Sequence, residues 1–474
     1  MQINSPDFKA RATRELANAG LQKALARTRP RFPAARLAAV ERLPEFEELR
    51  ETGREIKNHT LANLDFYLEA WERNVIASGG QVHWASTAED ARAAVLAICQ
   101  RVGAKTVTKG KSMISEEIAV NEYLEKHGIA PVETDLGEYI IQIRKEAPSH
   151  IIAPAFHLNR EDWEESFRKA HTDLDPARVF NDRRDIMNEA RKKLREKFLA
   201  ADVGITGANF LIAETGSSVI VTNEGNGDLT QTLPRVHIVL ASIEKMVPTL
   251  EDATNMLRLL ARSATGQDMA VYTTFSTGPS RPDDLDGPDE YHVVVIDNGR
   301  SAMIGTEFQD MLRCIRCAAC LNHCPVYQAI GGHSYGWVYP GPMGAVLTPS
   351  LIGIDKAGNL PNASTFCGKC ESVCPVKIPL PKMMRHWRER EFERHLTPTA
   401  VRTNLALWAF LAKHPSLYRL ATRLAAKALG LLAGKKGRFT SLPLASGWTK
   451  GRDLPAPEGD TFFARYARQQ RGEA

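Results

Sequence analysis

Between residues 80 and 299, short β-branched runs alternate with stretches whose apolar positions recur every three or four residues. Runs of the first kind mark strands, and the 3.6-residue period marks amphipathic helices. Strands are expected at 81–84, 105–108 and 131–134, with helices at 88–102 and 115–127 between them. The strand pattern resumes over 202–216, 218–226, 236–240, 269–273 and 292–296. This rhythm predicts βα units and a largely parallel sheet in one α/β domain. The charged stretch 159–199 reads as an inserted helical hairpin. Upstream, 10–78 is helix-rich, with Leu61, Leu64, Phe66, Leu68 and Trp71 at helical spacing. Pro30 and Pro33 interrupt its first part, so an N-terminal arm and then a longer helix are expected, with packing as their role. Beyond Pro381 the helical pattern returns. The expected domains are a helical arm at 1–79, an α/β domain at 80–300, a cysteine-bearing module at 301–385 and a helical C-terminal region at 386–474.

A chain of 474 residues exceeds one ordinary domain and suggests two or three. With 43% hydrophobic and 25% charged residues it has the composition of a globular protein. A net charge of +5 is mild at this length, and no nucleic-acid motif accompanies it. The first residues lack an apolar core of the signal-peptide kind, and no run approaches eighteen apolar residues, so the expected location is the cytosol. The charge is unevenly spread. Residues 394–452 hold eleven Lys or Arg and no Asp or Glu, interleaved with Leu405, Leu407, Trp408, Phe410, Leu417 and Leu424. Basic amphipathic helices of this kind suit an acidic partner subunit or peripheral contact with an anionic membrane, against the plainer reading of a solvated basic face.

The chemistry is concentrated between Cys314 and Cys374. Cys314-Ile-Arg-Cys317-Ala-Ala-Cys320-Leu-Asn-His-Cys324-Pro325 is the C-x2-C-x2-C-x3-C-P run of bacterial ferredoxins. Cys367-Gly-Lys-Cys370-Glu-Ser-Val-Cys374-Pro375 echoes it. Seven of the eight cysteines lie in these runs. Short spacing lets a turn wrap one iron-sulfur cube with backbone N–H groups aimed at sulfur, and the proline then leads the chain away. The fourth cysteine of each run in two-cluster ferredoxins ligates the other cluster. That rule assigns Cys314, Cys317, Cys320 and Cys374 to a [4Fe-4S] site, and Cys324, Cys367 and Cys370 to a second. The second is one thiolate short, and Ser364 stands where its first cysteine belongs. Four options stay open there: the Ser364 alkoxide, water, a partner's side chain, or a three-iron cluster. Zinc explains neither the spacing rhythm nor the prolines, and disulfides need an oxidising compartment. Arg316 and Lys369, inside the runs, would favour a reduced cluster if not simply solvated. His323 and His333 are alternative ligands, although structural histidines are commoner. Cys99, on an apolar helical face, reads as a buried structural thiol.

Other fragments carry less. Lys109-Gly110-Lys111-Ser112 resembles the end of a phosphate-binding loop, but the pattern requires glycine where Lys105 stands. The segment 223–228 lacks dinucleotide-loop spacing and reads as a turn with no helix after it. Glu214, before Thr215 and Gly216, is placed as a carboxylate nucleophile would be, without an identifiable base.

The whole set of motifs resembles the family of bacterial lactate-utilisation iron-sulfur proteins of the B type. The resemblance runs through Lys111-Ser-Met-Ile-Ser-Glu-Glu-Ile118, residues 204–216, Val221-Thr-Asn-Glu-Gly-Asn226, both cysteine runs and Cys374-Pro-Val-Lys-Ile-Pro379. It implies an α/β domain like those of sugar-phosphate isomerases and CoA-transferases, then a two-cluster ferredoxin-like module. It also implies electron transfer during oxidation of L-lactate to pyruvate, with a cysteine-rich subunit and a second α/β protein as partners. The family is described with two four-iron clusters; with Ser364 at the second site, both [4Fe-4S] and [3Fe-4S] stay open there. No flavin or nicotinamide fingerprint is visible, which favours a relay over a self-sufficient dehydrogenase. Two rival readings are an acyl- or CoA-transferring enzyme using Glu214, and an assembly scaffold with structural clusters.

Overall fold

The computed structural model describes residues 3–442, 446–449 and 451–472. The remainder of the expected 386–474 region, residues 443–445, 450, 473 and 474, lies outside the described residues, as do residues 1 and 2. The chain forms two compact units, Met1–Arg390 and Glu391–Ala474.

The first unit holds β1 (Gln81–Ala85), β2 (Thr106–Lys109), β3 (Ala130–Glu133), β4 (Val203–Gly207), β5 (Phe210–Ile212), β6 (Ser217–Thr222), β7 (Val236–Ser242), β8 (Met246–Val247), β9 (Tyr272–Ser276) and β10 (Glu290–Ile296). β1, β10, β7, β4, β2 and β3 lie side by side in that order, every neighbouring pair parallel. Helices cover both faces, which is why β7 and β10 read as near-continuous apolar runs rather than alternations. Thr87, Asp182 and Thr249 each start a helix through a reciprocal capping box with an aspartate three residues on, and at Asn159 the backbone N–H donates to the Asp162 carboxylate. The 159–199 segment is the expected pair of helices, Arg160–Ala170 and Arg183–Leu199.

Four expectations need correction. A second, mixed sheet in the order β8, β5, β6, β9 accompanies the parallel one, because the tight turn at Glu214-Thr215-Gly216 permits only an antiparallel return from β5 to β6. Helix 115–127 is split into Met113–Glu117 and Val120–Lys126 by Ala119, whose φ is +54°. The strand expected at 269–273 is β9, shifted to 272–276 by its pairing with β6. A helix, Asn226–Thr232, does follow β6, starting behind Gly225 at φ +70°. It lies so close to β4 that a Cβ on Gly204 would stand 1.7 Å from the Thr230 carbonyl oxygen.

Five helices precede the sheet: Phe8–Leu16, Ala19–Thr28, Arg31–Glu41, Phe46–Ala62 and Leu64–Ala77. Pro33 sits in the first turn of the third, where a missing N–H costs nothing. These helices are not peripheral. Phe46, Leu61 and Trp71 join a continuous apolar core that runs through the mixed sheet to Leu321, Val346 and the cysteine runs. A second core covers the other face of the parallel sheet, and a third fills the 159–199 hairpin.

In the second unit Thr399–Lys413 and Pro415–Ala433 pack on each other. Leu405, Leu407, Trp408, Phe410, Leu420 and Leu424 are all exposed there. Among the described residues no helix is long and apolar enough to cross a membrane.

His237, in the middle of β7, is buried with Nε2 2.8 Å from Thr206 Oγ1, and burial pushes its ring pKa down to about 3. The unfolded ring titrates near 6.5 and binds the proton first. Stability is therefore complete above that pH and falls progressively as pH drops towards 3. Urea unfolding at pH 7 and pH 5 is expected to show a loss of about 2 kcal/mol from this ring, and His237→Gln is expected to lose correspondingly less between the two pH values.

Candidate iron-sulfur centre

The two cysteine runs fold as one backbone design used twice. In the first, Arg316 and Ala318 flank Cys317 at φ +61° and +62°, and the one-turn helix Ala319–Asn322 carries Cys320. In the second, Phe366 and Gly368 flank Cys367 at φ +54° and +76°, and Lys369–Ser372 carries Cys370. Each ends in Cys-Pro. Left-handed backbone at non-glycine residues costs about 1 kcal/mol or more each and persists only where the surroundings enforce it. Here it turns the Ala319 and Lys369 amides, directly after Ala318 and Gly368, onto Cys317 and Cys367. Beyond the Cys-Pro steps Tyr327 N lies 3.5 Å from Cys324 Sγ and Ile378 N 3.4 Å from Cys374 Sγ, and the Glu371 amide serves Cys370. Ser364 occupies the Cys314 position of the repeat, its Oγ accepting the Phe366 N–H at 3.1 Å.

The seven thiols fall into two groups. Cys314, Cys317, Cys320 and Cys374 line one small cavity with Ile315, Met343 and Val376. Cys324, Cys367 and Cys370 perturb one another electrostatically, forming the second group. All are free thiols, five of them buried, with Cys314 half-buried and Cys367 exposed. Burial and then neighbouring sulfurs push Cys370 up to about 12 and Cys374 to about 11, and Cys317 and Cys320 are driven higher still. Cys367 moves the other way, lowered by the Lys369 amide. Such a set is unstable as bare thiolates and suits a bound cation that replaces the protons. Soft sulfur donors in this number fit iron.

Positive charge converges on the first group from segments that sequence reasoning assigned to packing. Arg50 donates to the Cys374 and Ser372 carbonyls, and Arg36 to that of Val373. Lys57, fully buried, donates to the Glu244 and Met246 carbonyls, and burial pushes its ammonium down to about 7. Nothing in the spacing of these residues signals the contacts, which arise only when the N-terminal helices fold back on the cysteine module.

Arg316 is largely buried rather than solvated. Its Nη2 donates to Glu244 Oε1 at 3.0 Å and its guanidinium lies over the Tyr339 ring. Glu244 also forms an ion pair with Arg300, whose guanidinium holds Glu117 in a two-pronged bond at 2.8 and 2.6 Å. Tyr339 closes the circuit by donating to Glu117 at 2.6 Å. Burial alone would raise the Glu244 carboxyl, but Arg300 and Arg316 overcome it and hold it near 2. This ladder joins the end of β7 to the first cysteine loop. Lys369 is exposed. His323 and His333 each use one ring nitrogen on a backbone carbonyl, of Ala319 and Ala147. Cys99 is wholly buried, as expected, its thiol pushed up to about 12 by desolvation.

Glu214 is exposed and accepts the Leu250 N–H at 3.0 Å, capping the helix Leu250–Thr265, and among the described residues no titratable base bonds to it. The arrangement is that of a cap rather than a nucleophile.

Three family descriptions match in series: LUD domain over residues 68–296, 4Fe-4S dicluster domain over 310–378, and lactate utilisation protein B, C-terminal, over 378–471. Lactate utilization protein B of Macrococcus caseolyticus is 44% identical over 98% of this chain and 97% of its own length. The proteins of that name from Geobacillus kaustophilus and Bacillus subtilis are 43% and 42% identical over 100% of this chain, covering 99% and 98% of theirs. The chain belongs to the lactate utilisation protein B family. A crystal structure of a DUF162 family protein from Deinococcus radiodurans aligns with 49% of the chain and 98% of its own, at 14% identity and a TM-score of 0.26. Both cysteine runs fall inside the family's 4Fe-4S dicluster domain.

Breaking a buried pair while leaving the partner charged costs about 3–5 kcal/mol. Glu244→Gln is expected to lose stability on that scale in urea unfolding, whereas Glu214→Gln, at the exposed cap, is expected to cost less than about 1 kcal/mol.

Proposed function

We propose that this protein is the electron-transferring iron-sulfur subunit of a lactate-oxidising system, converting L-lactate to pyruvate together with partner subunits. The observation that carries the reading is the doubled cysteine loop with one thiol group buried and the other reaching the surface at Cys367. Clusters bound there would supply one-electron transfer at potentials tuned by the protein within roughly -700 to +450 mV. Cys314, Cys317, Cys320 and Cys374 would hold the first, and Cys324, Cys367 and Cys370 the second, with Ser364 in place to complete it. Arg36 and Arg50 keep the first site cationic and so favour its reduced state. The exposed Cys367 and Phe366 make the second site the natural point of exchange with a partner.

The division of labour follows the expected boundaries, with the 80–300 domain as scaffold and the 301–385 module as relay. Kinship of the former with sugar-phosphate isomerases and CoA-transferases is part of the same proposal, supported by its six-stranded parallel sheet. The exposed apolar and basic helices beyond residue 391 suit an acidic partner subunit, the cysteine-rich protein or the second α/β protein. A cytosolic location follows from that reading, and binding to anionic vesicles without partners would instead place these helices on the membrane face.

Three outcomes test the proposal. L-lactate added anaerobically to the assembled subunits is expected to reduce the clusters, followed by electron paramagnetic resonance; clusters that stay silent through turnover would leave the scaffold reading. Cys374→Ala, in the second run, is expected to remove the signal of the first site, and Cys324→Ala that of the second; loss confined to each residue's own run would refute the crosswise assignment. Ser364→Cys is expected to leave iron content unchanged if the second site already holds four irons, and to raise it by about one per chain if it holds three.

A further inference from the structure

A cavity of about 280 Å³ opens at the carboxyl ends of β2, β4 and β7, bounded by Gly110, Gly207 and Ser242. Open α/β sheets bind ligands in this place, because strand ends and loops converge there without closing the space. The mixed sheet forms a second wall through Ile220 and Val221, and Arg316 of the first cysteine loop forms a third. One cavity thus touches both the α/β domain and the loop between Cys314 and Cys317.

Its polar lining is short of anions. Lys111 and Lys245 both reach it, and neither ammonium has a hydrogen bond or ion pair among the described residues. Arg316 is already matched, with Nη2 on Glu244 and its charge set against the Cys314 sulfur, and its Nη1 is closed off from the cavity. The negative groups of the cavity, Asp135 and Glu224, act on Lys111. Lys245 is within electrostatic reach of Arg316, Glu244, Cys314 and Arg300. Glu244 is already shared between Arg300 and Arg316, so the Lys245 ammonium is the unpaired charge at the end beside the cysteine loop. Apolar Ile151, Leu260 and Ala264 line the cavity as well. The site suits one carboxylate attached to a short carbon skeleton. A dianion such as phosphate would meet Asp135 and Glu224 without gaining a further cation.

We propose that this cavity binds a small monocarboxylate, its anion held by the Lys245 ammonium at the end of the cavity beside the Cys314–Cys317 loop. Lys111 adds long-range attraction, and Arg316, as a wall of the cavity, sets the ligand beside the Cys314–Cys317 loop. The choice of L-lactate and pyruvate as probes rests on the proposed lactate role, while the cavity does not. Reduction of clusters by lactate in the assembled system and binding by this chain alone succeed or fail separately.

The test uses the full chain purified anaerobically with its metal in place, titrated calorimetrically with L-lactate, pyruvate and inorganic phosphate. One of the two acids is expected to bind saturably with a dissociation constant below about 10 mM, an affinity of about -3 kcal/mol or better. Lys245→Gln is expected to weaken it at least tenfold with iron content unchanged, and Lys245→Arg to restore it. On the wild-type chain, which carries no folding risk, trace acetylation read by peptide mass spectrometry is expected to fall at Lys245 in saturating ligand and to stay constant at exposed Lys369. Absence of saturable binding by either acid, phosphate binding as tightly, or acetylation of Lys245 indifferent to ligand would each overturn the proposal.

Discussion

Sulfur buried against sulfur is the constraint on which this structure turns. Five of seven clustered thiols are withdrawn from water, and each thiolate raises the cost of the next. Protein cations offset only part of that charge. Arg36 and Arg50 approach from one side, and both also act as clamps on the carbonyls around Cys374. The rest has to come from metal, and metal binding then becomes part of the folding free energy. The left-handed residues around Cys317 and Cys367 follow from the same demand, since they turn amide protons towards sulfur at the expense of backbone strain.

The cysteine module shares its core with the α/β domain instead of docking as a separate bead. Tyr327 donates to the Ser149 carbonyl, and Asn322, between two cysteines, bridges His150 and the Ala264 carbonyl. The Glu117, Arg300, Glu244 and Arg316 ladder adds a charged link across the same boundary. Buried ion pairs of this sort contribute little net stability compared with apolar packing, but they are unforgiving of displacement. Arg316 is held by Glu244 and the Tyr339 ring where it walls the cavity beside the loop.

Much of this was legible in the sequence. The parallel sheet, the capped helices and the 159–199 hairpin follow from local periodicity and from Thr, Asn and Asp at helix starts. The repeat of the cysteine runs, with Ser364 against Cys314, is written in the spacing. What escaped depends on tertiary contact. The mixed sheet is set by a hairpin whose strands are three and six residues long, too short for period counting. The helix after Gly225 opens with Asn-Gly-Asp, poor helix formers held in place by packing on β4. Arg36, Arg50 and Lys57 sit on helices whose patterns announce only an apolar face. The polar side chains that reach the first cysteine group were therefore invisible until the fold brought them there.

The central claim is that metal supplies what the protein leaves uncompensated at these seven sulfurs. Iron and acid-labile sulfide analysis of chain purified without oxygen tests it most directly. The two are expected in roughly equal amounts, about seven to eight of each per chain, with loss of the fold when they are stripped by chelation. A chain that is equally well folded without metal, or that carries zinc in place of iron, would contradict it.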